Sequence, residues 1–422
     1  MRRLIAGRAL IVVLALIVAA CAVLDDTPSP QPTAEPADTP PAVATLPPPA
    51  TASPPGTSSP VTPTEPATPS PPQPTPRRAP SDAQLAPVLQ ALLDEWRVQS
   101  ATPGAVVGVR LADGRAAVVA SGVTDEDEGT PVAAEDSFRI GSITKTFVAV
   151  VVLQLAAAGE VDLDERLVAY LPDAPHAMQV TVRDLLAHTS GIADFAAERV
   201  YRQAVLLAPA HRWEPEEVVE LVADRPLAFA PGERWAYSNT NYLLLGLLGE
   251  EVTGRPLATL IREGISLPLG LADTYLEEME DAPPVETTGH HDLNGDGVTD
   301  SLAGIPYTAL VTSGAAAGGL SSTALDVLDF AGGLFGDELL GTDWLEEMLT
   351  PPAVYPSYGL GIASFSTPEG DAWGHAGELP GYSTLFAHSS EARVTVVALA
   401  NRSGAGVDEL VRRVVGELRR DE

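Results

Sequence analysis

Ser142 and Lys145 are the pair from which chemistry can be built. Lys145 is the single lysine in a chain of 422 residues whose other basic side chains are 24 arginines. Arginine holds its proton too tightly to act as a base, whereas a buried lysine can give its proton up. Lowering a lysine from ~10.4 to ~7.5 costs roughly 4 kcal/mol, and the same shift in arginine costs far more. A position that keeps lysine in such a chain is therefore a candidate neutral amine. A last lysine left by chance gives the same count.

Spacing strengthens the pair. Ser142 lies three residues before Lys145, and the apolar run Thr146–Leu155 follows, with Gly159 as a stop. This reads as a mostly buried helix with Ser142 in its first turn. Residues three apart share a helix face, so hydroxyl and amine can meet. The helix N-terminus adds free N–H groups and a partial positive charge. A serine becomes a nucleophile only beside such a base. Taken alone, the tetrad is also the pattern of a capping serine followed by a solvated lysine.

The elements that must hold this pair are legible in outline. Residues 83–96 read as an amphipathic helix, and 105–111 with 116–123 as a β-hairpin across Ala112-Asp113-Gly114-Arg115. The middle, from about 161 to 275, carries helical pattern and loop, including a buried helix over 242–252 that Gly254 ends. Strand pattern returns at 358–365, 381–388 and 393–401, and 407–420 closes as a helix. Strands at both ends with helices between predict an α+β fold: one antiparallel sheet built from both chain ends, flanked by helices, plus a helical lobe.

The first 80 residues serve another purpose. A short basic stretch precedes the apolar run Ala9–Ala20, which is too short to span a bilayer and suits a secretory leader. It ends in Val18-Ala19-Ala20-Cys21, similar to a bacterial lipobox, which predicts a signal peptide over 1–21 and lipidation of Cys21. Cys21 is the only cysteine, so no intrachain disulfide forms. Residues 22–80 are expected to be a disordered Pro/Thr-rich tether, because 20 of the 39 prolines fall in its span and no aromatic residue does. The folded part is then 81–422. The expected setting is extracytoplasmic, lipid-anchored to the bacterial membrane or cell surface. A formal charge of −32 argues against nucleic acid as a partner.

Three further segments carry a resemblance: Leu185-Leu186-Ala187-His188-Thr189-Ser190-Gly191; Pro231-Gly232-Glu233-Arg234-Trp235-Ala236-Tyr237-Ser238-Asn239; and His375-Ala376-Gly377. With Ser142-x-x-Lys145 ahead of them, they resemble the serine β-lactamase/penicillin-binding-protein superfamily, in its class C β-lactamase, DD-carboxypeptidase and esterase branch. The resemblance covers essentially 81–422 and implies a β-lactamase/transpeptidase-like fold. It implies that Ser142 is the acylated nucleophile, Lys145 its proton acceptor and Tyr237 a proton relay. Asn239 would bond Lys145 and a substrate amide. His375 and Gly377 would lie on an edge strand flanking the site, and the N–H groups of Ser142 and Glu378 would form the oxyanion hole. His188 reads as structural.

One departure bears on substrate. Members acting on free C-terminal carboxylates often carry a threonine in the middle of the third motif, with a cation nearby. Here that residue is Ala376, and no Lys or Arg occurs between Arg262 and Arg393. The expectation is an ester or amide substrate, small-molecule or peptide, ahead of a D-Ala-D-Ala terminus or a β-lactam. A binding or sensing module without turnover is a further alternative. No cofactor is needed for Ser142 chemistry. A second pattern, Asp292-x-Asn294-x-Asp296-Gly297-x-x-Asp300, matches part of a calcium loop. Its twelfth position is Ala303, so it reads equally as a possible structural Ca2+ site on Asp292, Asn294, Asp296 and Asp300 and as a polar hairpin turn.

Overall fold

Apolar strand residues sort onto two faces of one sheet. The computed structural model describes residues 78–367 and 370–418. Cys21, the leader and nearly all of the tether lie outside them. Strand β1 (Gly104–Leu111) hairpins to β2 (Ala116–Gly122), as the sequence predicts. β1 also pairs with β11 (Val394–Ala400), from Ala105↔Ala400 to Leu111↔Val394, so both chain ends share one sheet. The order is β2-β1-β11-β10-β9-β8, all antiparallel, with β8 Ala363–Thr367, β9 Gly370–Leu379 and β10 Tyr382–Ser389. Three smaller strands, β3 (Phe138–Arg139), β4 (Tyr275–Leu276) and β7 (Leu320–Ser322), pair beside the helical lobe, and β5 (His290–His291) pairs with β6 (Asp300–Ser301).

Alternation sends Val107 and Val109 to one face of the sheet and Val106 to the other. Helices α1 (Leu85–Gln99) and α7 (Val407–Leu418) cover the first face with Leu85, Leu89, Leu93, Leu410 and Val414, at helical spacing. The helical lobe covers the second. Its centre is α2 (Thr144–Ala157), apolar all round and buried along most of its length, with Phe147 stacked at 3.7 Å on Phe330 of α6 (Ala324–Phe335). Covering on both faces explains why the central strands are continuous Val/Ala/Leu runs.

Two expectations need correction. The segment expected as one strand from Tyr358 begins its strand only at Ala363. Gly359 and Gly361 before it press on helical neighbours: a Cβ on Gly361 would lie 2.4 Å from the Cβ of Ala149. And β9 is an additional strand whose mixture of Asp371, Gly374, Gly377 and Glu378 hides any alternation. Its pairing with β8 ends at Gly374↔Ala363, so 375–379 is the open edge that the third motif called for.

That edge meets the turn bearing Ser142. A Cβ on Gly377 would fall 2.0 Å from Ile140 O and 2.4 Å from Thr384 Oγ1, so only glycine allows this approach. Gly377→Ala is expected to destabilise the protein by about 1–3 kcal/mol, as overpacking does, and to cut turnover by parting the turn from the strand. Gly416→Ala, whose added methyl meets nothing within 4 Å, serves as control and should leave both unchanged or raise stability slightly. Melting curves and ester turnover check both; an unchanged Gly377→Ala protein would mean the two segments are not in contact.

Candidate active site

Ser142 sits in a tight 3-10 turn, Gly141–Ile143, that runs directly into α2. Lys145 lies one turn on, fully buried. Its Nζ is 3.1 Å from Ser142 Oγ, 2.8 Å from Asn239 Oδ1 and 2.6 Å from Ala317 O. A neutral amine has two N–H groups and one lone pair. Asn239 Oδ1 and Ala317 O can only accept, so they take the two N–H groups and leave the lone pair toward Ser142. Once protonated, the ammonium has three donors for the same three oxygens. The site thus suits the amine before and after it takes a proton.

Tyr237 and Asn239 come from the start of α4 (Asn239–Thr253), reached after the short helix α3 (Val182–Leu186) and a long connection. The Tyr237 hydroxyl donates to Ser142 Oγ at 2.8 Å. Ser142 therefore stands between a phenol and an amine, with its own proton free to go to Lys145. Lys145 Nζ also lies over the Tyr237 ring, 4.8 Å from its centroid.

The buried His188 supports this loop. Its Nδ1 accepts from the Ser238 N–H at 3.2 Å, which places the ring proton on Nε2. Burial, then the charge of Lys145, pushes its pKa well below the ordinary histidine value. It stays neutral and packs on Tyr237, with ring centroids 4.5 Å apart. This is the structural role expected of it.

His375 is also neutral, pushed down to about 3 by burial and then by Lys145. Tyr358 OH donates to its Nε2 at 3.0 Å, and its Nδ1–H donates to Ala376 O at 2.7 Å. Both ring nitrogens are engaged, so His375 fixes the strand, and its ring has no spare atom for a substrate. Next along the strand, Gly141 packs against Gly377 and Glu378: a Cβ there would lie 3.0 Å from Glu378 N. This brings the Ser142 peptide beside that of Glu378, as an oxyanion pair requires. The Glu378 carboxylate points elsewhere, accepting from Ser383 Oγ at 3.0 Å, and burial pushes its pKa up to about 7.

Ala376 corrects one argument. Its side chain packs with the cluster under α1 and α7, on the other face from His375. A missing hydroxyl there says little about the cleft. The scarcity of cations says more. Arg139, the arginine nearest Ser142 in sequence, is paired with Glu277 at 2.9 Å and stacked over Tyr307 at 3.8 Å.

Sequence reasoning missed three parts. Ala317 offers its carbonyl at the end of α5 (Thr308–Gly318), where Ala315 (φ 32°, ψ −115°) breaks the helix; last-turn carbonyls lack intrahelical partners. Tyr358 anchors His375. Asp194 accepts from Asn239 Nδ2 through both oxygens, at 3.1 and 3.2 Å. Only the Gly/Ala run 314–319 gave a hint, as a place where a helix could break.

The calcium-like loop folds as the β5–β6 hairpin. Asp292 accepts from the backbone N–H groups of Asn294, Gly295, Asp296 and Gly297 at 2.6–3.3 Å, and Asp300 from Leu293 N at 3.2 Å. Among the described residues no group of three or more His, Cys, Asp or Glu is gathered as a metal site.

An antiparallel sheet from both chain ends, a helical lobe, and Ser-x-x-Lys facing Tyr-Ser-Asn at their junction define the β-lactamase/transpeptidase-like class. The chain belongs to the beta-lactamase family, whose model matches residues 85–418. It is similar to Esterase EstB of Burkholderia gladioli, 33% identical over 205 residues, 45% of this chain and 51% of the relative. It is also similar to penicillin-binding protein 4 of Amycolatopsis lactamdurans, 32% identical over 248 residues, 57% of this chain and 62% of the relative. The chain spans between 51% and 64% of the length of these curated relatives and of a Bacillus subtilis penicillin-binding protein. Among solved structures, a D-amino acid amidase from Ochrobactrum anthropi superposes with a TM-score of 0.72 at 29% identity, covering 80% of this chain and 99% of that one.

Proposed function

We propose that this protein is a serine hydrolase that cleaves an ester or amide through an acyl-enzyme on Ser142. The observation that carries this is the double approach to Ser142 Oγ, by Tyr237 OH at 2.8 Å and Lys145 Nζ at 3.1 Å. Ser142 Oγ attacks the substrate carbonyl carbon as its proton passes to Lys145. The carbonyl oxygen becomes an oxyanion facing the N–H groups of Ser142 and Glu378. The acid group formed returns the proton to the leaving alcohol or amine through Tyr237, and the C–O or C–N bond breaks. Water then attacks the acyl-Ser142 ester and gives a proton to the same pair; the bond to Ser142 Oγ breaks, Oγ takes that proton back, and the acid is released. No metal or cofactor is called on.

An esterase or amidase is favoured over a DD-carboxypeptidase or β-lactamase, because Arg139 is committed to Glu277 and the chain from 263 to 392 holds no Lys or Arg. Neither Arg139 nor that stretch then offers a carboxylate-bearing substrate a bidentate partner. The names of the esterase and the D-amino acid amidase agree with that preference. The intact Ser142–Lys145–Tyr237 contacts weigh against a non-catalytic sensing module. The lipobox-like sequence ending at Cys21 supports an extracytoplasmic, lipid-anchored setting.

A panel of p-nitrophenyl acetate, a D-amino acid amide, nitrocefin and a D-Ala-D-Ala peptide tests the reading. Ester or amide turnover is expected to exceed the two carboxylate substrates by on the order of 10- to 100-fold, the worth of one charge-assisted hydrogen bond. Preference for nitrocefin or the peptide would reverse the substrate choice. No turnover, together with no fluorophosphonate labelling, would leave the binding module.

A further inference from the structure

We propose that Asp194 is a positioning residue that sets which way Lys145 offers its lone pair. It acts through Asn239. An asparagine amide has an accepting end and a donating end, and either could face Lys145. Asp194 removes the choice. Its carboxylate can only accept, and it holds Asn239 Nδ2 at 3.1 and 3.2 Å and the Asn239 backbone N–H at 3.2 Å. The accepting end of the amide must then point at Lys145, where Oδ1 lies 2.8 Å from Nζ. Asp194 is itself fixed, accepting from Ala196 N at 3.1 Å as the cap of a 3-10 turn.

Without this lock the amide can turn over. An N–H of Asn239 would then face Lys145 and donate to the lone pair that Ser142 needs. The amine would lose an acceptor and its basicity toward Ser142 together. The carboxylate also adds a negative charge near Lys145. Burial raises the Asp194 pKa above the ordinary carboxylate value, against the lowering by its hydrogen bonds and by Lys145. The other titratable groups facing Lys145 are His188 from the loop after α3, His375 from β9, and Tyr237 and Tyr242 from the α4 segment. Both histidines are held neutral, so they do not titrate with it near neutral pH. An anion beside an ammonium stabilises the charged form, so removing the Asp194 charge should lower the pKa of the Lys145–Tyr237 pair.

The inference rests on the acyl-enzyme reading, and one experiment separates the two. Full pH profiles of kcat and KM for p-nitrophenyl acetate are measured for wild type, Asp194→Asn and Asp194→Ala, with melting curves. Asp194→Asn keeps size and the oxygen that accepts from Ala196 N, but replaces the second oxygen at Asn239 Nδ2 with an N–H and removes the charge, so it decides the matter if Asp194→Ala does not fold. Expected for Asp194→Asn are a kcat lower by about 10- to 100-fold, KM within about twofold, and an acid limb moved to lower pH by on the order of one unit. An acid limb that stays in place with kcat within about threefold of wild type overturns the inference while leaving the reading intact. A raised KM with unchanged kcat also overturns it, by showing that Asp194 touches substrate. Absence of wild-type turnover overturns both.

Discussion

Lys145→Arg is expected to lose at least ~1000-fold in kcat/KM, about 4 kcal/mol of transition-state stabilisation, and to be nearly as inactive as Lys145→Ala. Arginine keeps the positive charge and much of the length, so a role in simple charge attraction would survive the change. A role as proton acceptor would not, because the guanidinium has no lone pair to offer near neutral pH. The geometry sharpens the contrast. Asn239 Oδ1 at 2.8 Å and Ala317 O at 2.6 Å satisfy two donors and leave the third direction to Ser142. An arginine there would fill all three directions with N–H. It would also need room that a fully buried site does not have, so the melting temperature is measured beside turnover. A folded Lys145→Arg protein retaining more than about a tenth of wild-type kcat/KM, a loss under ~1.4 kcal/mol, would end the neutral-base role.

Which parts of this site the sequence could reveal follows from where their constraints lie. Ser142 and Lys145 are set by one helix, so their meeting is a matter of periodicity and could be read directly. Tyr237 and Asn239 lie about a hundred residues further on. Nothing local brings them to Ser142, and only the resemblance pointed to them; in the structure Tyr237 OH meets Ser142 Oγ and Asn239 Oδ1 meets Lys145 Nζ. The hairpin of β1 and β2 and the pairing of the chain ends were legible because their apolar runs are long. Strand β9 was not legible from its pattern, which answers to a turn on one side and a site on the other; only the resemblance put 375–377 on a strand. Gly377 stands there because Ile140 O leaves no room for a side chain, a constraint across 237 positions. Ala317 carried only the hint of its Gly/Ala run, and Asp194 carried none. One contributes a backbone oxygen, which has no residue type. The other is one carboxylate among 57 acidic side chains, and only its contact with Asn239 distinguishes it. Ala376 shows the opposite error: its type suggested a meaning, and its place on the far face of the sheet removed it.

Ser142→Ala is expected to abolish fluorophosphonate labelling and to lower turnover by ~10,000-fold or more, while leaving the fold almost untouched. Both halves follow from the same contacts. The hydroxyl is the atom on which Tyr237 and Lys145 converge, and no neighbouring serine can replace it. Ser190 Oγ donates to Asn241 Oδ1 at 2.8 Å and Ser238 Oγ to Ala193 O at 3.3 Å, each spent on structure. What remains is the oxyanion pair and substrate binding, which in other serine hydrolases leave only a small residual rate. Stability should change little, because the neutral Lys145 keeps acceptors for both its N–H groups in Asn239 and Ala317. Lys145→Ala differs here: it strips a donor from each of those oxygens, and a buried polar group left unpaired costs about 1–3 kcal/mol. Melting curves of the two variants should therefore separate, with Ser142→Ala near wild type and Lys145→Ala clearly lower, although both are inactive. A Ser142→Ala protein that still turns over ester at a rate near wild type would remove the acyl-enzyme. One that is inactive because it has unfolded would instead mean that the hydroxyl holds the turn together, and the chemistry would have to be sought at another atom.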